Sequence, residues 1–190
     1  MEVEPDVPSS LSYVEALLSR YSGANLASRL EFAARALLTS DPLASVRAFE
    51  LAVIARKSGR NVAAYLMTAT ELNSLRQGNS PIDQAWIAAT TAKNVAEGEE
   101  CEAAVCAPNV AREVSRSAFL EYARYAIAIG EDNLAIQHLG RARDMGISAR
   151  QAADTTLGFL DLFLARRDWQ NLERNLSSRP EMMTEISVQK

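Results

Sequence analysis

Apolar positions along this chain come in blocks, and each block is bounded by residues that start or stop a helix. Ser9 or Ser10 is placed to cap a first helix over about residues 11–20, and Asn25 a second that reaches Leu38. Asp41-Pro42 couples an N-cap to a proline at the first helical position, where the missing N–H is no loss. It predicts a third helix, stopped by Gly59. Asn61 opens a fourth, ending near Gly78. Ser80-Pro81 repeats the cap-plus-proline device for a fifth, which is expected to fade in the acidic stretch before Pro108. Pro108 is read as the start of a sixth helix, broken by Gly130, and about Asn133 to Met145 as a seventh, stopped by Gly146. Ser148 caps an eighth to about Arg166, and Asp168 a ninth to about Ser178, which Pro180 ends. Alternating β-branched runs, the mark of strands, are almost absent.

The connections are short, so successive helices are expected to pack antiparallel as hairpins. Hairpins stacked in order give an all-α, TPR-like (tetratricopeptide-like) α-solenoid of about nine helices. Helices six and seven carry the small and large residues of such a unit at Ala123, Gly130, Ala135, Leu139 and Ala142. The next pair, on Leu157, Leu160, Leu172 and Leu176, follows the pattern more loosely. Helix eight has two apolar stripes, Ala153/Leu157/Leu160/Leu164 and Phe159/Phe163, which predicts cover on both sides, from the stack or from a partner. Residues 1–10 read as a flexible N-terminus, 11–180 as a helical-repeat domain and 181–190 as a C-terminal tail.

Composition sharpens this picture. Hydrophobic residues make up 48% of the chain while Gly and Pro are scarce, a balance that favours helix over disorder. The net charge of −4 lacks the basic excess of a nucleic-acid binder, and the cluster Glu97 to Glu102 would repel phosphate. No continuous apolar run is long enough for a membrane span, and the N-terminus lacks the basic and apolar regions of a signal peptide. The expected compartment is therefore the cytoplasm and nucleus.

Candidate chemistry is sparse. His138, the only histidine, has no nucleophile or second ligand beside it in sequence and reads as a helix-edge residue at a contact. Cys101 and Cys106, with one distant histidine, fall short of the four ligands of a structural zinc site and read as thiols. Glu99-Glu100 and Glu131-Asp132 are expected in turns or at helix starts. No Gly-rich loop follows a strand, so neither a P-loop nor a dinucleotide fingerprint is present. No catalytic, cofactor or metal residue is assigned, and the chain is expected not to be an enzyme. The residues that stand out for protein contact are Arg141, Arg143, Arg150, Arg166, Arg167, Trp169 and Arg174, because guanidinium groups pair carboxylates and stack on aromatics. Arg179 extends the run, and both Trp86 and Trp169 are expected to serve as core anchors before interface anchors.

Tyr21-Ser22-Gly23 and Arg29-Leu30-Glu31-Phe32-Ala33-Ala34 resemble the opening of the subunit 1 family of the COP-9 signalosome, and Asp83-Gln84-Ala85-Trp86-Ile87-Ala88-Ala89-Thr90 resembles its D-x-A-W-x-x-A-T helix. Gly130-Glu131-Asp132, Ala135, Arg141-Ala142-Arg143-Asp144, Trp169 and Pro180-Glu181 continue in the family's order over nearly the whole chain. The proteasome-lid subunits are related to this family. The resemblance implies the N-terminal helical-repeat region of such a subunit, in a truncated or short form without the family's C-terminal PCI domain. It implies a non-catalytic scaffold in a complex that removes a ubiquitin-like modifier from cullins, the metalloprotease activity residing in another subunit. Partners would be other protein subunits, not nucleic acid or membrane, and the fragment is expected to be prone to self-association. The alternative reading is an independent TPR-type adaptor that grips a peptide or protein in its groove. Two departures from the family are the acidic Glu97 to Glu102, where the family is Lys-rich, and the short Val114-Ser115-Arg116-Ser117.

Overall fold

The computed structural model describes residues 10–76, 78, 82–146, 148–166 and 168–177. These residues form an all-α helical-repeat fold with nine helices and no strand among them: α1 (Ser10–Arg20), α2 (Gly23–Leu37), α3 (Pro42–Lys57), α4 (Val62–Leu75), α5 (Gln84–Cys106), α6 (Arg112–Ile129), α7 (Asp132–Asp144), α8 (Ala149–Arg166) and α9 (Trp169–Ser177).

Local chemistry explains most boundaries. The Asp41 carboxylate accepts from the Ala44 N–H at 3.0 Å ahead of Pro42, and the Asn61 amide oxygen accepts from the Ala64 N–H at 2.8 Å. Gly130 ends α6 at φ 87°, a left-handed conformation that an L side chain resists. Three boundaries differ from expectation. Ser22, not Asn25, is the N-cap of α2, so Asn25 falls inside the first turn. Pro108 does not start α6: Pro108 and Asn109 form a turn with Asn109 at φ 59°, and the helix begins at Arg112. Nor does α5 fade. It runs through Glu97 to Glu102 as far as Cys106, which places Glu99-Glu100 on a helix rather than in a turn. Glu and Ala are strong helix formers, and adjacent carboxylates point to different sides of the helix. Ser80 and Pro81 lie outside the described residues; the observed cap of α5 is Asp83, which accepts from the Trp86 N–H at 2.9 Å. The ends of the chain, 1–9 and 178–190, also lie outside them.

The chain divides into two compact units, Met1–Ala92 and Lys93–Lys190, with the division inside α5. In the first unit α2 packs on α3 and α3 on α4, with α1 laid on α2 and α3. Alanines at the crossings (Ala33, Ala34, Ala48 and Ala52) let the backbones approach, and Val14, Leu17, Leu30, Phe49 and Leu72 fill the space around them. The fully buried Ser45 hydroxyl on α3 donates to the Ala34 carbonyl on α2 at 2.7 Å. Glu31 on α2 receives a two-pronged bond from Arg56 on α3, at 2.8 and 3.0 Å, and Thr68 Oγ1 on α4 lies 2.6 Å from the same carboxylate. One nearly buried charge network therefore ties three helices together.

In the second unit α6 packs on α7, α7 on α8 and α8 on α9. The repeat positions read from the sequence fall in its core: Ala123, Ala135 and Ala142 are fully buried, and so, nearly, is Leu139. Ala126, Phe159, Leu162 and Phe163 complete it. Two arginines of α6 join the backbone of later elements. Arg112 donates to the Asp144 and Met145 carbonyls at 2.9 and 3.0 Å, a cation placed on the negative end of α7. Arg116, almost wholly buried, donates to the Gln151 carbonyl in α8 at 2.8 Å.

Candidate protein-interaction surface

The residues expected to make a protein interface lie on α7, α8 and α9, and each of the described ones is exposed. Several already have internal work. The Arg141 guanidinium lies 5.6 Å from the centre of the Phe119 ring, and that of Arg143 lies 5.8 Å from the Phe159 ring. Arg166 pairs with Asp132 at 3.4 Å, and Arg174 donates to the Asn171 amide oxygen at 3.4 Å. Arg150 has no partner among the described residues, and Arg167 and Arg179 lie outside them.

Trp169 corrects the core assignment. It is 61% exposed at the first position of α9, while Asp168 caps the helix by accepting from the Asn171 N–H and side-chain amide at 3.2 and 2.7 Å. Those bonds, with Asn171's side chain foremost, hold the Asp168 carboxyl below its ordinary range. Trp86 is half-buried and meets the Tyr65 ring at 4.6 Å. Its helix start is secured by Asp83, whose backbone N–H donates to the Tyr65 hydroxyl at 2.9 Å. The Asp83 carboxylate pairs with Lys57, and this bond, ahead of the one from the Trp86 N–H, pulls its pKa down.

Helix α8 begins with a capping box in which Ser148 and Gln151 exchange bonds at 3.2 and 3.3 Å. Its two apolar stripes have different fates. Phe159 and Phe163 are buried, joined by Leu162, Thr155 and Thr156. Leu157 and Leu164, of the other stripe, remain 45% and 49% exposed. The expected cover on that side does not come from the described part of this unit.

Beside Leu157 is a groove of about 230 Å³ between α6 and α8. Leu139 and Ala123 form its floor, Leu120 and Ile127 one wall, and Leu157 and Gly158 the other. A side chain at Gly158 would bring its Cβ within 3.0 Å of Leu139, so glycine is what lets α7 seat this leucine. Asp154 and Asp161 stand on the α8 rim and Arg124 on the α6 rim. Arg124 is paired with Glu121, whereas neither aspartate has a partner among the described residues. Sequence reading gave neither aspartate a site role, taking Asp161 only as a local partner for the arginines; their spacing of two helical turns around Leu157 and Gly158 was the available signal.

His138 is buried rather than at a helix edge. Its ring stacks on Tyr122 at 4.0 Å and on Phe119 at 5.7 Å, and its Nδ1 has no hydrogen-bond partner among the described residues. Burial foremost, then the neighbouring Arg141 charge, push its pKa below the ordinary 6.5. Burial, with the Glu102 charge adding, raises the Tyr122 hydroxyl. Among the described residues no group of three His, Cys, Asp or Glu could hold a metal ion, and no helix is long and apolar enough to cross a membrane. No protein-family model and no curated protein matches the chain.

Proposed function

We propose that this chain is a non-catalytic scaffold that holds other proteins, in the manner of the N-terminal region of signalosome subunit 1, supporting removal of a ubiquitin-like modifier from cullins by another subunit. The observation that supports the scaffold reading is the run of large apolar side chains left exposed along α8 and α9: Leu157, Leu164 and Trp169, beside the exposed Arg166 and Arg174. Tryptophan and arginine are the residue types that carry most of the energy in protein interfaces. Its partners would be protein subunits, met in the cytoplasm and nucleus. The signalosome form of the proposal rests on the collinear motifs, and the structure uses several of them as packing elements: Glu31 binds Arg56, Trp86 meets Tyr65, and Gly130 ends a helix.

The test is reconstitution of the chain with purified signalosome subunits, followed by size-exclusion chromatography. Co-elution that is lost in Leu164→Ser/Trp169→Ser supports the proposal. A chain that elutes alone from both signalosome and proteasome-lid subunits overturns the subunit assignment. The adaptor reading has its own observation, the apolar groove between α6 and α8, and would then take precedence.

A further inference from the structure

The groove between α6 and α8 has a chemistry that selects its occupant. Its volume of about 230 Å³ is smaller than the ~300–1,000 Å³ of small-molecule sites and suits one large apolar side chain. Its floor and walls are aliphatic, through Leu120, Ile127, Leu139 and Leu157, so a polar side chain placed there would lose water and gain no hydrogen bond. The polar contribution comes from the rim, and it is asymmetric. Arg124 is paired with Glu121 on its own helix, while Asp154 and Asp161 are exposed and form no ion pair among the described residues. The two carboxylates lie on one face of α8, two turns or ~10 Å apart along the helix axis, with Leu157 and Gly158 between them. An acidic segment would meet like charge on this rim; a basic one would meet two carboxylates that have no partner among the described residues.

We propose that this groove docks a basic amphipathic helix of a partner protein. One large apolar residue enters the pocket over Leu139 and Gly158, and lysines or arginines on either side of it reach Asp154 and Asp161. Docking of a helix by its apolar face into a groove is a general mode of recognition, and the charged rim sets its register and sign. The proposal rests on the reading of this chain as a protein-binding scaffold and adds the partner's chemistry.

The probe is a labelled helical peptide with one leucine flanked by lysines two turns apart, compared with a counterpart carrying glutamates in place of the lysines, both titrated into the full chain by fluorescence anisotropy. The lysine peptide should bind, weaken as salt is raised, and protect α6 and α8 around Ile127 and Leu157 in hydrogen exchange. The glutamate peptide should not bind. Asp154→Asn/Asp161→Asn should weaken the lysine peptide about tenfold without moving the melting temperature, since both side chains are exposed and unpaired among the described residues. Leu157→Gln should abolish binding. Equal affinity for the two peptides, or an affinity that the aspartate variants leave unchanged, overturns the proposal. Self-association of the chain that the same variants abolish would assign the groove to a second copy and overturn it too. If the unmodified chain assembles with the subunits while the lysine peptide fails to bind it, the groove proposal falls and the scaffold reading stands. If assembly fails for the unmodified chain while the peptide binds as described, the subunit assignment falls and the groove stands.

Discussion

Replacing Glu31 with leucine should cost about 3 kcal/mol, a large share of the ~5–15 kcal/mol that holds a typical domain together. The magnitude follows from the position of Arg56. Its side chain is 14% exposed and that of Glu31 11%, so each has given up most of its water for the other. With Glu31 gone, Arg56 keeps only the Ser28 hydroxyl, at 3.3 Å, among the described residues. Leaving one charge of a buried pair uncompensated typically costs ~3–5 kcal/mol, and the residual exposure of Arg56 places this case at the lower end. Thr68 adds little to the loss. Its single hydroxyl proton already has a second acceptor, the Ala64 carbonyl at 2.8 Å, to which it turns when Glu31 is removed. Replacing both charges, as Glu31→Leu/Arg56→Met, should be less destabilising than Glu31→Leu alone, because no unpaired charge remains.

The measurement is urea unfolding in a Trp169→Phe background, where Trp86 fluorescence reports on the first unit alone. The Arg35–Glu71 pair supplies the control. It is two-pronged as well, at 3.2 and 2.7 Å, but its side chains are 51% and 42% exposed, so a double-mutant cycle there should return only ~0.2–1 kcal/mol. A Glu31→Leu loss below ~1 kcal/mol, equal to that of the exposed pair, would refute the claim that the network is desolvated.

Leu139, almost wholly buried beneath Gly158, should cost ~2–5 kcal/mol as Leu139→Ala, and Leu139→Asp should abolish the cooperative melt of α6, α7 and α8 followed by Trp169 fluorescence; an unchanged melt would show the repeat register to be wrong. His138 should make the second unit sensitive to acid. Its folded pKa lies below the ordinary 6.5, so the unfolded chain takes up the proton first. Its contribution is present above 6.5 and is lost as pH falls through the folded value. His138→Phe should flatten the pH dependence of the melting temperature in that window, and an identical slope in the variant would show that another group is responsible.

Much of the helical order was legible in the chain itself because caps act over three or four residues. Asp41 reaches the Ala44 N–H, Asn61 the Ala64 N–H, Ser148 the Gln151 N–H and Asp168 the Asn171 N–H, all without help from the rest of the fold. The repeat core was legible for a similar reason: the small residues Ala123, Ala135 and Ala142 mark helix crossings by their size and spacing. Where local signals competed, sequence reading failed. Pro108 can open a helix or shape a turn, and the left-handed Asn109 settles it as a turn. What lies beyond a helix's own residues was decided by tertiary packing. The apolar stripes of α8 look equivalent in sequence, yet Phe159 and Phe163 are buried with the α6 and α7 core residues, which leaves Leu157 and Leu164 facing water. Trp169 is outside for the same reason: a cap at Asp168 specifies where α9 starts, but which of its faces is covered depends on helices distant in the chain. The groove and its aspartate rim arise only when α6 and α8 meet over Leu139, a relation between residues some thirty positions apart that no local pattern encodes.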